Sequence, residues 1–242
     1  MHAVLGRKVA LSICLLFMTF CLGWAQVNKV GGTNRNFHNK ENKPYYFGIT
    51  LAFHSSNYKI FRSKKFNEQE QILSVESVTG PGYNVNVISN LKIGRYFDFR
   101  LLPGFSFTER NIQYRDLSLQ KEVDQRTIES VFVEVPFHAR FKSEPYNDMR
   151  VFVLGGIKYG FDIASKARRR KDENILKIAP VDFSVEVGFG MQFFFPYFIL
   201  SPELKYTHGL NNILIFNEEV IQSNVLENVL SRTFTLSFHF EG

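Results

Sequence analysis

Residues 181–195, VDFSVEVGFGMQFFF, constrain this chain more than any other stretch, because neighbouring positions have opposite chemistry along its whole length. At period two, Val181, Phe183, Val185, Val187, Phe189, Met191 and Phe193 fall on one side, and Asp182, Ser184, Glu186, Gly188, Gly190 and Gln192 on the other. A helix would mix the two sets, so the stretch is a strand. A tilted strand crosses a bilayer with about 9–11 residues, and this one is long enough.

The alternation recurs. Strands are predicted at residues 45–54, 83–93, 97–108, within 128–142, and at 149–163, 181–195, 198–207 and 232–240, which makes eight. The connections after the first, third, fifth and seventh strands are long, and those after the second, fourth and sixth are very short. That rhythm and the even strand number are those of a barrel with both termini in the periplasm. A soluble carrier barrel would turn its apolar face inward, but the large apolar side chains here exceed what an eight-stranded interior holds. The small residues Gly48, Ala52, Gly104, Gly156, Gly160, Gly188 and Gly190 sit on the opposite face and suit a narrow lumen. The fold class read from the sequence is therefore all-β: an eight-stranded antiparallel transmembrane β-barrel of outer-membrane type, preceded by a cleaved signal peptide.

Arg7 and Lys8 precede the apolar run 9–22, and Gly23-Trp24-Ala25 supplies the small residues of a signal peptidase site. The expected organisation is a signal peptide at 1–25, a flexible periplasmic leader at 26–44 and the barrel at 45–242. Both cysteines, Cys14 and Cys21, fall in the signal, so a disulfide-stapled domain and a Cys-based zinc site are excluded for the exported part. The formal charge of +6 is a weak hint of anionic partners, and nucleic acid is a poor one for an exported protein.

Charges on the lumen side need partners, because an unpaired buried ion costs several kcal/mol, on the order of magnitude given by ion desolvation. Arg100, Glu134, His138, Arg140, Lys158, Glu186, Glu203 and Lys205 are expected to form an inward polar network that plugs the barrel, with the glutamates available to the four cations. Lys166, Arg168, Arg169, Arg170 and Lys171 form the strongest charge run. It reads as a solvated extracellular loop, or as a contact for lipopolysaccharide phosphates or an acidic partner. The last long loop is unusually apolar, with Ile215, Phe216, Val220, Ile221 and Val225, and reads as a cap or docking surface; residues 218–230 could form a short helix.

No catalytic, cofactor or metal site is expected. On a strand, Glu134 and His138 lie about 13 Å apart, and neither a G-x-S-x-G elbow nor an H-E-x-x-H pair is present. An outer-membrane lipid-modifying enzyme is the lesser alternative, behind a general small barrel of porin or adhesin type.

The placed strands also resemble the PorT (SprT) family of outer-membrane proteins of the Bacteroidetes type IX secretion system. The resemblance spans nearly all of the chain that follows the expected signal peptide. It is carried by Lys43-Pro44 with Tyr46-Phe47-Gly48, by Leu102-Pro103-Gly104-Phe105-Ser106-Phe107 with Arg110, and by Gly155-Gly156-Ile157-Lys158-Tyr159 running to Asp162 and Ala164-Ser165. Asp182, Glu186-Val187-Gly188-Phe189-Gly190, Tyr197-Phe198, Ser201-Pro202-Glu203-Leu204-Lys205 and Gly209-Leu210-Asn211 continue it. It implies a non-enzymatic component needed to export proteins with C-terminal sorting domains, such as surface proteases, adhesins and gliding proteins. Its partners would be outer-membrane lipid, lipopolysaccharide and other proteins of that machinery.

Overall fold

The computed structural model describes residue 37 and residues 43–62, 72–116, 123–164, 177–215 and 226–242. The expected signal peptide, most of the leader, the basic run Lys166 to Lys171, and Phe216, Val220, Ile221 and Val225 lie outside the described residues.

Among the described residues there are twelve ladder segments: β1 Tyr45–Arg62, β2 Ile72–Val78, β3 Gly80–Ile93, β4 Phe97–Leu101, β5 Gly104–Asp116, β6 Val123–Lys142, β7 Met149–Asp162, β8 Lys177–Ile178, β9 Val181–Phe194, β10 Ile199–Gly209, β11 Leu214–Ile215 and β12 Leu226–Glu241. β2 with β3, and β4 with β5, are each one wall strand interrupted once, so the wall has eight antiparallel strands. β1 pairs with β12 on one side and with β3 on the other, which closes the ring. β8 and β11 form a separate two-residue ladder between the connections that follow β7 and β10.

The interruption at Leu102-Pro103 follows from proline's missing N–H. The wall stays bonded there through Val87 N to Pro103 O at 2.9 Å and Leu102 N to Pro136 O at 3.0 Å. Leu102 turns inward and is buried. At the same end of the barrel the connections are tight. Asn147 and Asp148 both take positive φ, 46° and 56°, as a two-residue hairpin turn requires, and Tyr146 and Met149 exchange backbone bonds across them.

The two faces sort as the alternation demands. Phe47, Phe53, Phe189 and Phe234 are 59–63% exposed on the outside, whereas Arg100, His138, Arg140 and Ser201 are 0% exposed inside. Only hydrocarbon makes that distribution favourable, since in water it would leave a continuous apolar belt unburied. The belt runs from Tyr45 to Phe53 on β1 and ends at Ser55, Asn57 and Lys59.

Several ladders extend beyond the belt, further than the sequence reading had them. β1 runs to Arg62 instead of stopping at residue 54, the strand expected at 83–93 begins at Ile72, and β5 continues to Asp116. The alternation records contact with lipid, and above Phe53 the outer face turns polar at Ser55, Asn57 and Lys59 while Ser56 and Tyr58 stay buried inside, so the signal fades while hydrogen bonding continues. The helix read at 218–230 is corrected at its end: residues 226–230 are strand, with Lys59 opposite Leu230 and Ile60 opposite Val229. Pairing with β1 overrides the helical reading of that apolar run.

Candidate functional site

The lumen is filled by side chains from every wall strand, arranged in tiers between the short-turn end and the long-connection end. At the short-turn end Asp98 on β4 lies directly opposite Arg140 on β6 in the ladder. Arg140 donates through Nε and Nη2 to the two Asp98 oxygens, each at 2.8 Å, and Lys142 Nζ reaches Oδ2 at 2.8 Å. Arg140 also donates to the Tyr46 hydroxyl at 2.7 Å and stacks over Phe152 at 4.8 Å. Arg100 donates to Glu241 Oε1 at 2.5 Å and to Asn90 Oδ1 at 3.1 Å, and Gln192 holds the other Glu241 oxygen.

The middle tier is centred on Glu186. It receives His138 Nε2 at 2.5 Å, Thr207 Oγ1 at 2.8 Å and Lys205 Nζ at 3.3 Å. Lys158 pairs with Glu134 at 2.9 Å and lies 3.9 Å from Glu186. His239 sits 3.2 Å from Glu203 through Nε2 and 2.7 Å from the Thr50 hydroxyl through Nδ1. The pairs Glu134–Lys158 and Glu186–Lys205 are diagonal neighbours across the ladder, within reach of long side chains. Glycines stand directly opposite Glu134, Glu186 and Lys205, namely Gly160, Gly156 and Gly188. At Gly156 the requirement is steric: a Cβ there would meet the His138 ring.

Above these lie His54, bonded to the Thr108 hydroxyl at 3.0 Å, and Arg110, whose guanidinium is held between the rings of Tyr58 and Phe132 at 5.1 and 5.3 Å. Among the described residues, seven buried cationic side chains (Lys or Arg) face seven buried carboxylates. The lumen is electrically balanced and needs no counter-ions to fill it.

Phe37, in the stretch read as a flexible leader, is 2% exposed. Its amide donates to Asp148 Oδ1 at 3.0 Å, and its ring meets Phe194 edge-on at 5.1 Å and Arg150 at 5.0 Å. The space left among Phe37, Tyr46, Lys92, Lys142 and Arg150 is about 20 Å³, room for a single water. A lone aromatic in a polar segment was the available signal for this contact. At the short turn between β3 and β4, Tyr96 donates to Glu144, and that hydrogen bond, with the nearby carboxylate charge, holds the phenol pKa above its ordinary value.

All eight residues expected in the inward network lie in the lumen, but the partners of two differ from the pairing read in the sequence. Arg100 and Arg140 are met by Glu241 and Asp98, not by Glu134, Glu186 or Glu203. Asp98, Lys142, His239 and Glu241 were not assigned to the network, although each continues the inward phase of its strand. Of the apolar residues read as a docking surface, Ile215 is placed by its backbone alone, opposite Lys177. Among the described residues, no group of three or more His, Cys, Asp or Glu could hold a metal ion.

The family model described as an outer membrane protein beta-barrel domain matches residues 24–214. No curated protein matches the chain in sequence. Among solved structures the chain is similar to the outer membrane protein OprG of Pseudomonas aeruginosa, at 9% identity and TM-score 0.47, covering 82% of this chain and 95% of that one. It is also similar to Ail, the attachment invasion locus protein of Yersinia pestis, in complex with the heparin analogue sucrose octasulfate, at 11% identity and TM-score 0.38, covering 83% and 100%. Neisserial surface protein A is similar at 9% identity and TM-score 0.40, covering 80% and 96%.

Proposed function

The chain belongs to the outer membrane protein β-barrel domain family, and from that premise we propose that it is a closed, non-enzymatic barrel that works through its rims, as a surface-binding protein and not as a diffusion pore. The observation that carries this reading is the tiered column of mutually paired charges across the lumen. A water-filled channel lines its wall with hydrated groups, whereas here the carboxylates and cations are spent on each other, and Phe37 occupies the short-turn mouth. The short turns belong in the periplasm, with both ends of the barrel sequence, and the long connections face outward against lipopolysaccharide. The test is planar-bilayer recording of the refolded chain. The reading expects no stable, large open step, and a reproducible ohmic channel overturns it.

A second reading is favoured by the resemblance to the PorT family. Several residues that carry it, Lys158, Glu186, Glu203 and Lys205, converge in one middle tier instead of scattering over the wall. On this reading the barrel is an accessory of type IX protein secretion and contacts other proteins of that machinery. Deleting the gene separates the two: sorting-domain cargo held in the periplasm supports secretion, and normal export with lost surface adhesion supports the general binding barrel.

A further inference from the structure

Across the outer face of the wall, the register sets Phe141 on β6 beside Val153 on β7, then Phe189 on β9, Leu204 on β10 and Leu236 on β12. A valine stands between two phenylalanines. One step nearer the short turns, Val151 is opposite Met191. There the β9–β10 register is interrupted between Leu200–Phe193 and Glu203–Gly190, at Pro202, which has no N–H to give. Short outward side chains at Val151, Val153 and Pro202, flanked by longer ones, leave a groove of about 540 Å³ on the outside of the barrel.

The groove lies in the apolar belt and reaches the rim at Ser143. Ser143 donates to the Glu144 carbonyl at 2.9 Å and receives the Val151 amide at 3.2 Å. The Glu144 carboxylate takes the Tyr96 hydroxyl and pairs with Arg95 at 2.8 Å, and the Arg95 and Glu144 side chains are each 54% exposed. The Tyr96 ring lies 6.3 Å from that of Phe141, which flanks the groove. An exposed cation and anion therefore stand side by side at the rim, at the head of an apolar trough.

A second barrel is a poor occupant, because two convex walls meet along a line and leave a recess between them unfilled. A flexible hydrocarbon chain follows the recess and regains the dispersion contacts that an empty groove forfeits. We propose that the groove binds one phospholipid of the periplasmic leaflet, with an acyl chain over Val151 and Val153 and a zwitterionic headgroup at the rim, its phosphate toward Arg95 and its amine toward Glu144. The proposal rests on the binding-barrel reading only for orientation, which puts the short turns in the leaflet built of phospholipid.

The test uses the full chain refolded in nanodiscs of palmitoyl-oleoyl phosphatidylethanolamine, released into detergent and weighed intact by native mass spectrometry. The barrel is expected to keep one phospholipid. Val153→Phe fills the trough with another apolar side chain and should lower the retained fraction at least tenfold, and Val151→Phe serves where that variant does not fold. Val87→Phe, on the lipid face of β3, should leave retention unchanged. Arg95→Ala combined with Glu144→Ala should lower it severalfold. From nanodiscs doped with lipid A, phosphatidylethanolamine should be kept in preference. No retained lipid, undiminished retention in the groove-filling variant, equal loss in Val87→Phe, preference for lipid A, or a two-copy complex that the groove-filling variant dissolves overturns the proposal. Bilayer recording on the same preparation keeps the two readings apart: a non-conducting barrel without retained phospholipid refutes the groove alone, whereas a conducting one refutes the closed barrel.

Discussion

Arg100 on β4 is joined across the lumen to Glu241, the penultimate residue of the chain, and both side chains are fully buried. Arg140 lies 3.9 Å from the same carboxylate. The end of the last strand is thereby fastened to the far wall, beside the β1–β12 seam that closes the ring. Removing one member of a buried pair leaves an uncompensated charge, at about 3–5 kcal/mol. Glu241→Ala should therefore lower stability by roughly that amount in urea unfolding from phospholipid vesicles. Glu241→Met combined with Arg100→Met should recover most of the loss.

Lys158 gives a second, independent case. Lys158→Met strands Glu134 and takes one of the cations from Glu186, so a loss of about 3–5 kcal/mol is expected. The double variant Lys158→Met with Glu134→Gln removes both partners and should be milder than the single change. A double-mutant cycle measured in vesicles checks the sign of the coupling.

Depth along β1 sets the cost of a charge on the lipid face. Ile49 lies at the middle of the apolar belt and Phe53 at its edge. Ile49→Arg should cost about 2–4 kcal/mol, and Phe53→Arg about 0–1 kcal/mol. Equal costs at the two positions would contradict the placement of the belt.

Tyr96 offers a readout outside the membrane. Because the hydrogen bond to Glu144 raises its pKa, this contact is present below the ordinary tyrosine value and is lost as pH rises through the folded-state value. Nuclear magnetic resonance titration of the ring should show Tyr96 ionising later than free tyrosine. Glu144→Gln should bring it down.

Much of this architecture was legible because lipid contact writes period two into the sequence, as in Phe183, Val185, Val187 and Phe189 against Ser184, Glu186 and Gly188. The same rule fails where lipid ends. On β1, Ser55, Asn57 and Lys59 replace the apolar outer residues while Ser56 and Tyr58 stay buried inside, so the contrast between the faces is lost from the sequence and the ladder beyond residue 54 went unread. The network's inward phase was readable, but pairing depends on register and barrel curvature: nothing local to Arg100 points to Glu241, which lies 141 positions away in sequence. Glu241 itself follows the inward phase of Ser237 and His239, so its place, though not its partner, was available.

The central claim is that hydrocarbon touches the phenylalanine-rich face and protein fills the other. Spin labels placed singly at positions 187 to 192 of β9, in the refolded barrel in lipid, test it by power saturation with oxygen. The account predicts high oxygen collision rates at 187, 189 and 191 and low rates at 188, 190 and 192. A uniform profile, or one with the opposite phase, would contradict it.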